Sequence, residues 1–382
     1  MGFKKGIGRM LAAVAVTFLL CGCGAEEKAD APAAEDAAAV VVDLRPTAPP
    51  RGQAPADAAD SMEAGTAVSG GVTVGMVTGQ SGIEDASFNQ SAWEGLQWLS
   101  GVMECETTLL EAGSDAEIGP GLDKLAEQGC SLCWGVGVNS ADAILAAAEK
   151  YPETFFAVVD CSYDTVPENV TCVVFRAEEP SFLAGYVAGS VTQNKKVGFV
   201  GGMANEVIDS FRYGYEAGVA YAAKQRGITI ETEAVYADGF ADQAKGRELA
   251  EGLYAGGCDI IYHAAGETGL GVIKAAEEQG QYMIGVDKDQ SYLAPGHVLC
   301  SALKYVNVAV KQVSEGLLRG NISYGGVISL GLMEDAVGIS EEHPLYPDAV
   351  YDEMLRLKEE IIAGTLTVPA DREAYEAFLE AM

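Results

Sequence analysis

From Val72 onward the chain alternates short apolar runs with longer segments in which apolar residues recur every three or four positions, the pattern of strands followed by helices. Val72 to Val77 is the first run. A loop rich in Gly, Ser and Asp follows, and Ser87 to Leu99 then sets Phe88, Ala92, Leu96 and Leu99 on one helical stripe. Further strands are expected near Thr107 to Glu111, Leu132 to Val138, Phe155 to Asp160 and Val170 to Phe175, with helices such as Ala141 to Lys150 between them. A second series begins at Val197 to Val200 and continues through Ile228 to Tyr236, Ile260 to Tyr262, Met283 to Val286 and Val298 to Ser301. Strands that alternate with helices form parallel sheets, because each return to the same end of the sheet needs a crossover. Two such series predict an α/β chain of two doubly wound parallel-sheet lobes, 71–176 and 177–302. The rest, 303–382, holds a helix, an apolar run at Val327 to Leu332 and a terminal helical stretch, and is expected to cross back between the lobes.

Residues 1–70 break this pattern. Lys4, Lys5 and Arg9 precede an apolar run from Met10 to Leu20 that is too short to span a bilayer, the layout of a secretory signal. Gly22 stands immediately before Cys23, and the apolar Leu20 lies three before it, so this end resembles a bacterial lipobox. Residues 1–22 are therefore read as a lipoprotein signal peptide, and Cys23 as the residue that is acylated, with palmitate for example, and becomes the new N-terminus. From 23 to 70 the chain is rich in Ala, Asp, Glu and Pro and nearly free of aromatics. Such a segment cannot bury enough surface to offset its chain entropy, and reads as a flexible tether.

Charge narrows the partners. The 382 residues carry 24 Lys and Arg against 56 Asp and Glu, a formal charge of −32, with 49% hydrophobic residues to build a core. Nucleic acid is excluded, because tracking phosphates requires a basic stripe that this chain lacks. An anionic small ligand is disfavoured unless a local site overrides the global field. Seven cysteines remain in the body, an odd number set mostly in apolar runs, which points to buried thiols rather than a disulfide framework. Cys130 and Cys133 form a CxxC, but no second CxxC or paired His follows to complete a zinc site.

Parallel sheets bind ligands at the carboxyl ends of their strands, so the residues just past each strand carry the candidate chemistry. The first loop delivers Phe88 and Asn89 at a helix N-terminus, and Phe155 to Asp160 ends in a carboxylate. In the second series, the loop after Val200 leads to Phe211, the strand at Ile260 leads to Gly266, Met283 to Val286 leads to Asp287, and the strand at Val298 leads to Lys304. Two rings from opposite lobes can sandwich a flat heterocycle, each contact worth roughly 1–3 kcal/mol by analogy with base stacking. An amide and a carboxylate between them can read the edge of a purine, and a carboxylate with a Lys suits the vicinal hydroxyls of a ribose.

These residues also carry a resemblance. Val74-Gly75-Met76-Val77 with Asp85-Ala86-Ser87-Phe88-Asn89-Gln90-Ser91-Ala92-Trp93-Glu94-Gly95 is similar to the opening of the basic membrane protein (PnrA-like) lipoproteins, the substrate-binding components of nucleoside ABC importers. Phe182-Leu183-Ala184-Gly185-Tyr186, Val197 to Gly202, Phe211 to Gly218, Gly266 to Gly271 and Ile284 to Gln290 continue it in the same order to the C-terminus. The resemblance implies a type I periplasmic-binding-protein-like fold, its lobes joined by crossing segments, that closes on a purine nucleoside without catalysis or cofactor. It implies that Phe88 and Phe211 stack on the base, that Asn89 and Asp160 bond its edge, that Asp287 and Lys304 hold the ribose, and that the Gly266 backbone packs close by. The partners would be an ABC permease and ATPase, and the location the extracytoplasmic face of the cell membrane, where the protein is lipid-anchored through Cys23 and monomeric.

Two other classes compete. A sensing receptor would bind the same ligand without import. An enzyme acting on nucleosides would need machinery that is hard to find: Gly266-x-x-Gly269-x-Gly271 lacks the GxGxxG spacing, and the three histidines sit in no HExxH or GxSxG context. Taken singly, each site residue has an ordinary structural explanation, as a core aromatic or a helix cap. Asp85 is read as such a cap.

Overall fold

Strand β1 (Val72–Thr78) is buried from Val74 onward, as a central strand covered on both faces must be. It pairs in parallel with β2 (Cys105–Glu111) on one side and β3 (Leu132–Val136) on the other. The computed structural model describes residues 71–382; the signal sequence, Cys23 and the tether lie outside the described residues. With β4 (Phe155–Val159), β5 (Val170–Phe175) and β11 (Gly326–Leu330), the first sheet has the order β11-β5-β4-β3-β1-β2. The second repeats the scheme: β6 (Lys196–Gly201), β7 (Glu231–Tyr236), β8 (Ile260–Ala264), β9 (Tyr282–Asp287), β10 (Val298–Lys304) and β12 (Val337–Ile339) stand in the order β12-β10-β9-β8-β6-β7. Only β12 runs antiparallel among these pairings.

Helices cover both faces of each sheet. Ala92, Leu96 and Leu99 of α1 (Phe88–Val102) pack with Val306, Ala309, Val310 and Val313 of α8 (Val306–Leu318) and with Trp134, whose indole N–H donates to Ser314 Oγ at 2.9 Å. Beneath the second sheet, α4 (Glu178–Val191) and α5 (Glu206–Arg226) touch backbone to backbone. A Cβ on Gly185 would stand 2.1 Å from the Tyr215 carbonyl oxygen, and one on Gly218 2.0 Å from that of Phe182, so only glycine permits this approach. The collinear Phe182-to-Tyr186 and Phe211-to-Gly218 segments are thus, in large part, a helix-packing pair.

The chain passes between the sheets at three places: from β5 to α4, from β10 to α8 and from β11 to β12. Arg176 ties the first to the third. Its guanidinium bonds Glu179 Oε1 at 2.7 Å and pairs with Glu334, while Glu179 Oε2 takes the Leu332 N–H at 2.6 Å. Sequence patterning located the first ten strands, left β11 as an apolar run of unassigned type and missed the three-residue β12, and not all the ends agree. The strand expected to reach Val138 stops at Val136, because Gly137 turns the chain with a φ of 88°. The strand expected to begin at Ile228 begins at Glu231, and β10 runs on to Lys304. Among the described residues no helix is long and apolar enough to cross a membrane.

Candidate ligand-binding cleft

The turn into α1 is organised by Asp85. Its buried carboxylate takes the backbone N–H groups of Ser87 at 3.0 Å, Asn89 at 2.8 Å and Gln90 at 3.0 Å, doing the work of a cap from two residues before the helix boundary. Burial pushes its pKa up, and those three N–H bonds pull it back. The rigid turn presents Phe88 and Asn89, and the Asn89 amide makes no side-chain hydrogen bond to another described residue. In the second lobe Asn205 caps α5 by accepting from the Ile208 N–H at 3.0 Å, which brings Phe211 to the cleft after one and a half turns.

Two aspartates occupy equivalent places in the two lobes, Asp160 just past β4 and Asp287 closing β9. Both adopt the left-handed backbone, with φ of 61° and 64°, a conformation that costs energy away from glycine and that clusters at functional sites. Asp287 is nearly buried, and its pKa is pushed up to about 6; burial is the main cause, opposed by the Lys304 ammonium and by a hydrogen bond from Ser87. Lys304, at the end of β10, is 2% exposed and is paired with Asp160 of the opposite lobe. Its ammonium lies 4.5 Å from the Phe88 ring centroid, 5.1 Å from that of Phe175 and 5.4 Å from that of Phe211, distances at which a ring face attracts a cation.

All seven residues singled out by the sequence, Phe88, Asn89, Asp160, Phe211, Gly266, Asp287 and Lys304, line one cavity of about 210 Å³ between the sheets. That is small beside the roughly 300–1,000 Å³ of drug-sized pockets. Lys304 bonds Asp160 of the opposite lobe rather than Asp287, because a buried ammonium needs a close counter-charge and the left-handed turn after β4 supplies it. Gly266 adopts the left-handed backbone. At φ 55° it runs against the backbone of Phe240, and a Cβ on Gly202 would sit 2.2 Å from the Phe240 ring, so both glycines seat that aromatic.

Phe240 lines the cavity from the second lobe and was not legible beforehand, since it follows a short, half-buried strand with no apolar pattern around it. Its carbonyl accepts from Ser81 Oγ of the first lobe at 3.0 Å, closing the outer side of the cleft. Gln80, Asp115, Asn139, Asn205 and Asp238 add to the polar lining. Cys161 and Tyr163, which follow Asp160, turn away into the core of the first lobe, where the Tyr163 hydroxyl donates to the Ala141 carbonyl at 2.8 Å.

Residues 72–372 match the Bmp family, described as ABC transporter substrate-binding protein PnrA-like. The chain is 37% identical over 302 residues to basic membrane protein A1 of Borrelia garinii subsp. bavariensis, covering 78% of this chain and 88% of that one. It is 38% identical over 302 residues to basic membrane protein A of Borreliella burgdorferi, with the same coverage, 78% and 88%. Among solved structures it is similar to an ABC transporter solute-binding protein from Aeropyrum pernix K1, with a TM-score of 0.74 and 25% identity over 81% of this chain and 98% of that one.

Proposed function

Since the chain belongs to the Bmp family of PnrA-like ABC transporter substrate-binding proteins, we propose that its interlobe cavity captures a purine nucleoside and delivers it to an ABC permease. One observation carries the reading: aromatic rings from opposite lobes, Phe88 against Phe211 and Phe240, border a small cavity whose polar lining is hydrogen-bonding rather than phosphate-binding. Phe88 stacks on the base, with the second lobe's rings as the other wall. Asn89, whose amide is uncommitted, reads the base edge together with Asp160. Asp287 and Lys304 receive the sugar.

The lining supports a neutral ligand. It contains the carboxylates of Asp85, Asp115, Asp160, Asp238 and Asp287 against the single ammonium of Lys304, which Asp160 already neutralises. A nucleotide's phosphate would enter a field of the wrong sign. Anchoring through an acylated Cys23, on the extracytoplasmic side, belongs to the same proposal and accounts for the tether: it leaves the lobes free to reach the permease as a monomer. The two lobes close on the ligand, and the closed form is what the permease recognises.

A thermal-shift screen of the purified protein against nucleosides, free bases, nucleotides and sugars tests this. Purine nucleosides are expected to raise the melting temperature most, without turnover. Conversion of the nucleoside to base and sugar would favour an enzyme instead, and stabilisation by sugars alone would remove the base from the account.

A further inference from the structure

The turn entering α1 and the turn leaving β9 are bonded to each other across the lobes. Gln290 Nε2 donates to the Ala86 carbonyl at 3.3 Å, and Lys288 Nζ reaches Gln90 Oε1 at 3.0 Å and Glu94 Oε1 at 2.7 Å. The Lys288 pair is partly exposed, a setting in which ion pairs contribute little. A third bond is different in kind. Ser87 Oγ donates to Asp287 Oδ2 at 2.5 Å, with Ser87 fully buried and Asp287 nearly so. The Ser87 backbone is itself held by Asp85, so the hydroxyl arrives from a fixed turn.

Among the described residues, Ser87 is the one hydrogen-bond partner of the Asp287 carboxylate, whose Oδ1 is buried without a partner. A desolvated carboxylate with half its acceptor capacity unspent is costly to keep charged. The ionisable groups facing it are divided: Lys304 on β10 favours the charge, whereas Asp160 after β4 and Asp85 before α1 oppose it. Ser87 therefore supplies, from one lobe, the bond that orients a ligand-facing acceptor belonging to the other.

We propose that Ser87 is the positioning residue for ligand capture: it sets the Asp287 carboxylate to accept a ligand hydroxyl, so that this acceptor is complete only when the lobes are closed. The matching group is a neutral O–H donor such as one of a ribose diol, which fills the remaining acceptor capacity without adding charge. This rests on the reading of the cavity as a nucleoside site.

The test uses the full chain with Ser87→Ala and Ser87→Thr. The Asp287 carboxyl carbon is titrated by NMR in each variant, its signal identified with Asp287→Asn, and guanosine affinity is measured by calorimetry across the same pH range. In Ser87→Ala, Asp287 is expected to titrate about one pH unit higher, the affinity at neutral pH to fall about tenfold, and its acid limb to move up by the same interval. Ser87→Thr, which keeps the hydroxyl, is expected to restore the titration towards the wild-type value. A packing role alone would leave the titration where it was, so an unmoved Asp287 in a folded Ser87→Ala protein overturns the assignment. If the wild type binds no guanosine, the nucleoside reading fails, while the ligand-free titration still decides whether Ser87 holds Asp287.

Discussion

Phe88 and Phe211 make unequal tests of stacking, because their surroundings differ. Phe211 is 3% exposed and packs into the core of the second lobe, so Phe211→Ala combines lost ligand contact with a cavity costing about 3–5 kcal/mol of stability. Phe88 is half-buried at the head of α1. Phe88→Ala is expected to weaken nucleoside binding about ten- to a hundredfold, the equivalent of roughly 1–3 kcal/mol, with a much smaller loss of melting temperature. Paired calorimetry and thermal unfolding check both. Asp287 gives a pH dependence of definite sign. Its folded pKa, about 6, stands above the ordinary 3.8, so the folded state holds the proton more tightly than the unfolded one. Stability from this group is then full below about pH 4, declines between about 4 and 6, and is lost above. Asp287→Asn removes the cost of the buried charge and is expected to be more stable than wild type near pH 7.5, by at most about 3 kcal/mol, yet to bind nucleoside worse. Unfolding curves should converge near pH 4. A variant no more stable than wild type near pH 7.5 contradicts the assignment.

At the scale of elements, the sequence was most informative where one rule acted alone. Buried parallel strands are runs of β-branched and aliphatic residues, and β5, Val170–Phe175, was legible to the residue. Phe88, Asp160 and Asp287 could be placed because a doubly wound sheet puts its loops at the carboxyl ends of strands. What distance in sequence hides is who meets whom: Lys304 with Asp160, 144 positions apart, and Ser87 with Asp287, 200 apart. Phe240 stayed hidden for a related reason, since the cue to it is the pair of glycines, Gly202 and Gly266, that make its bed in three dimensions. The contact of α4 with α5 is a packing constraint of the same sort. Gly185→Val drives a side chain into the Tyr215 carbonyl and is expected to cost about 1–3 kcal/mol or more of stability, read as a lower denaturant midpoint. Free tolerance of valine there would mean that the two helices stand further apart. At the crossings, Arg176→Ala leaves Glu179 and Glu334 without their shared cation. Faster amide exchange in residues 331–336 is the expected consequence, with the strand cores of both sheets unaffected.

For the whole molecule, two facts about charge have to be reconciled. The chain is strongly acidic, at −32, yet its cleft is built for capture. Within the cavity the aspartates exceed the one lysine, so the local field extends the global one rather than reversing it. A ligand that is neutral and rich in donors suits both scales, whereas a phosphorylated one suits neither. The most direct measurement of this claim is calorimetric titration of the protein with guanosine and, separately, with guanosine 5′-monophosphate in low-salt buffer at neutral pH. Saturable one-to-one binding of the nucleoside is expected, with at least about a hundredfold weaker binding of the monophosphate. Equal affinity for the two, or binding of the monophosphate alone, would contradict it.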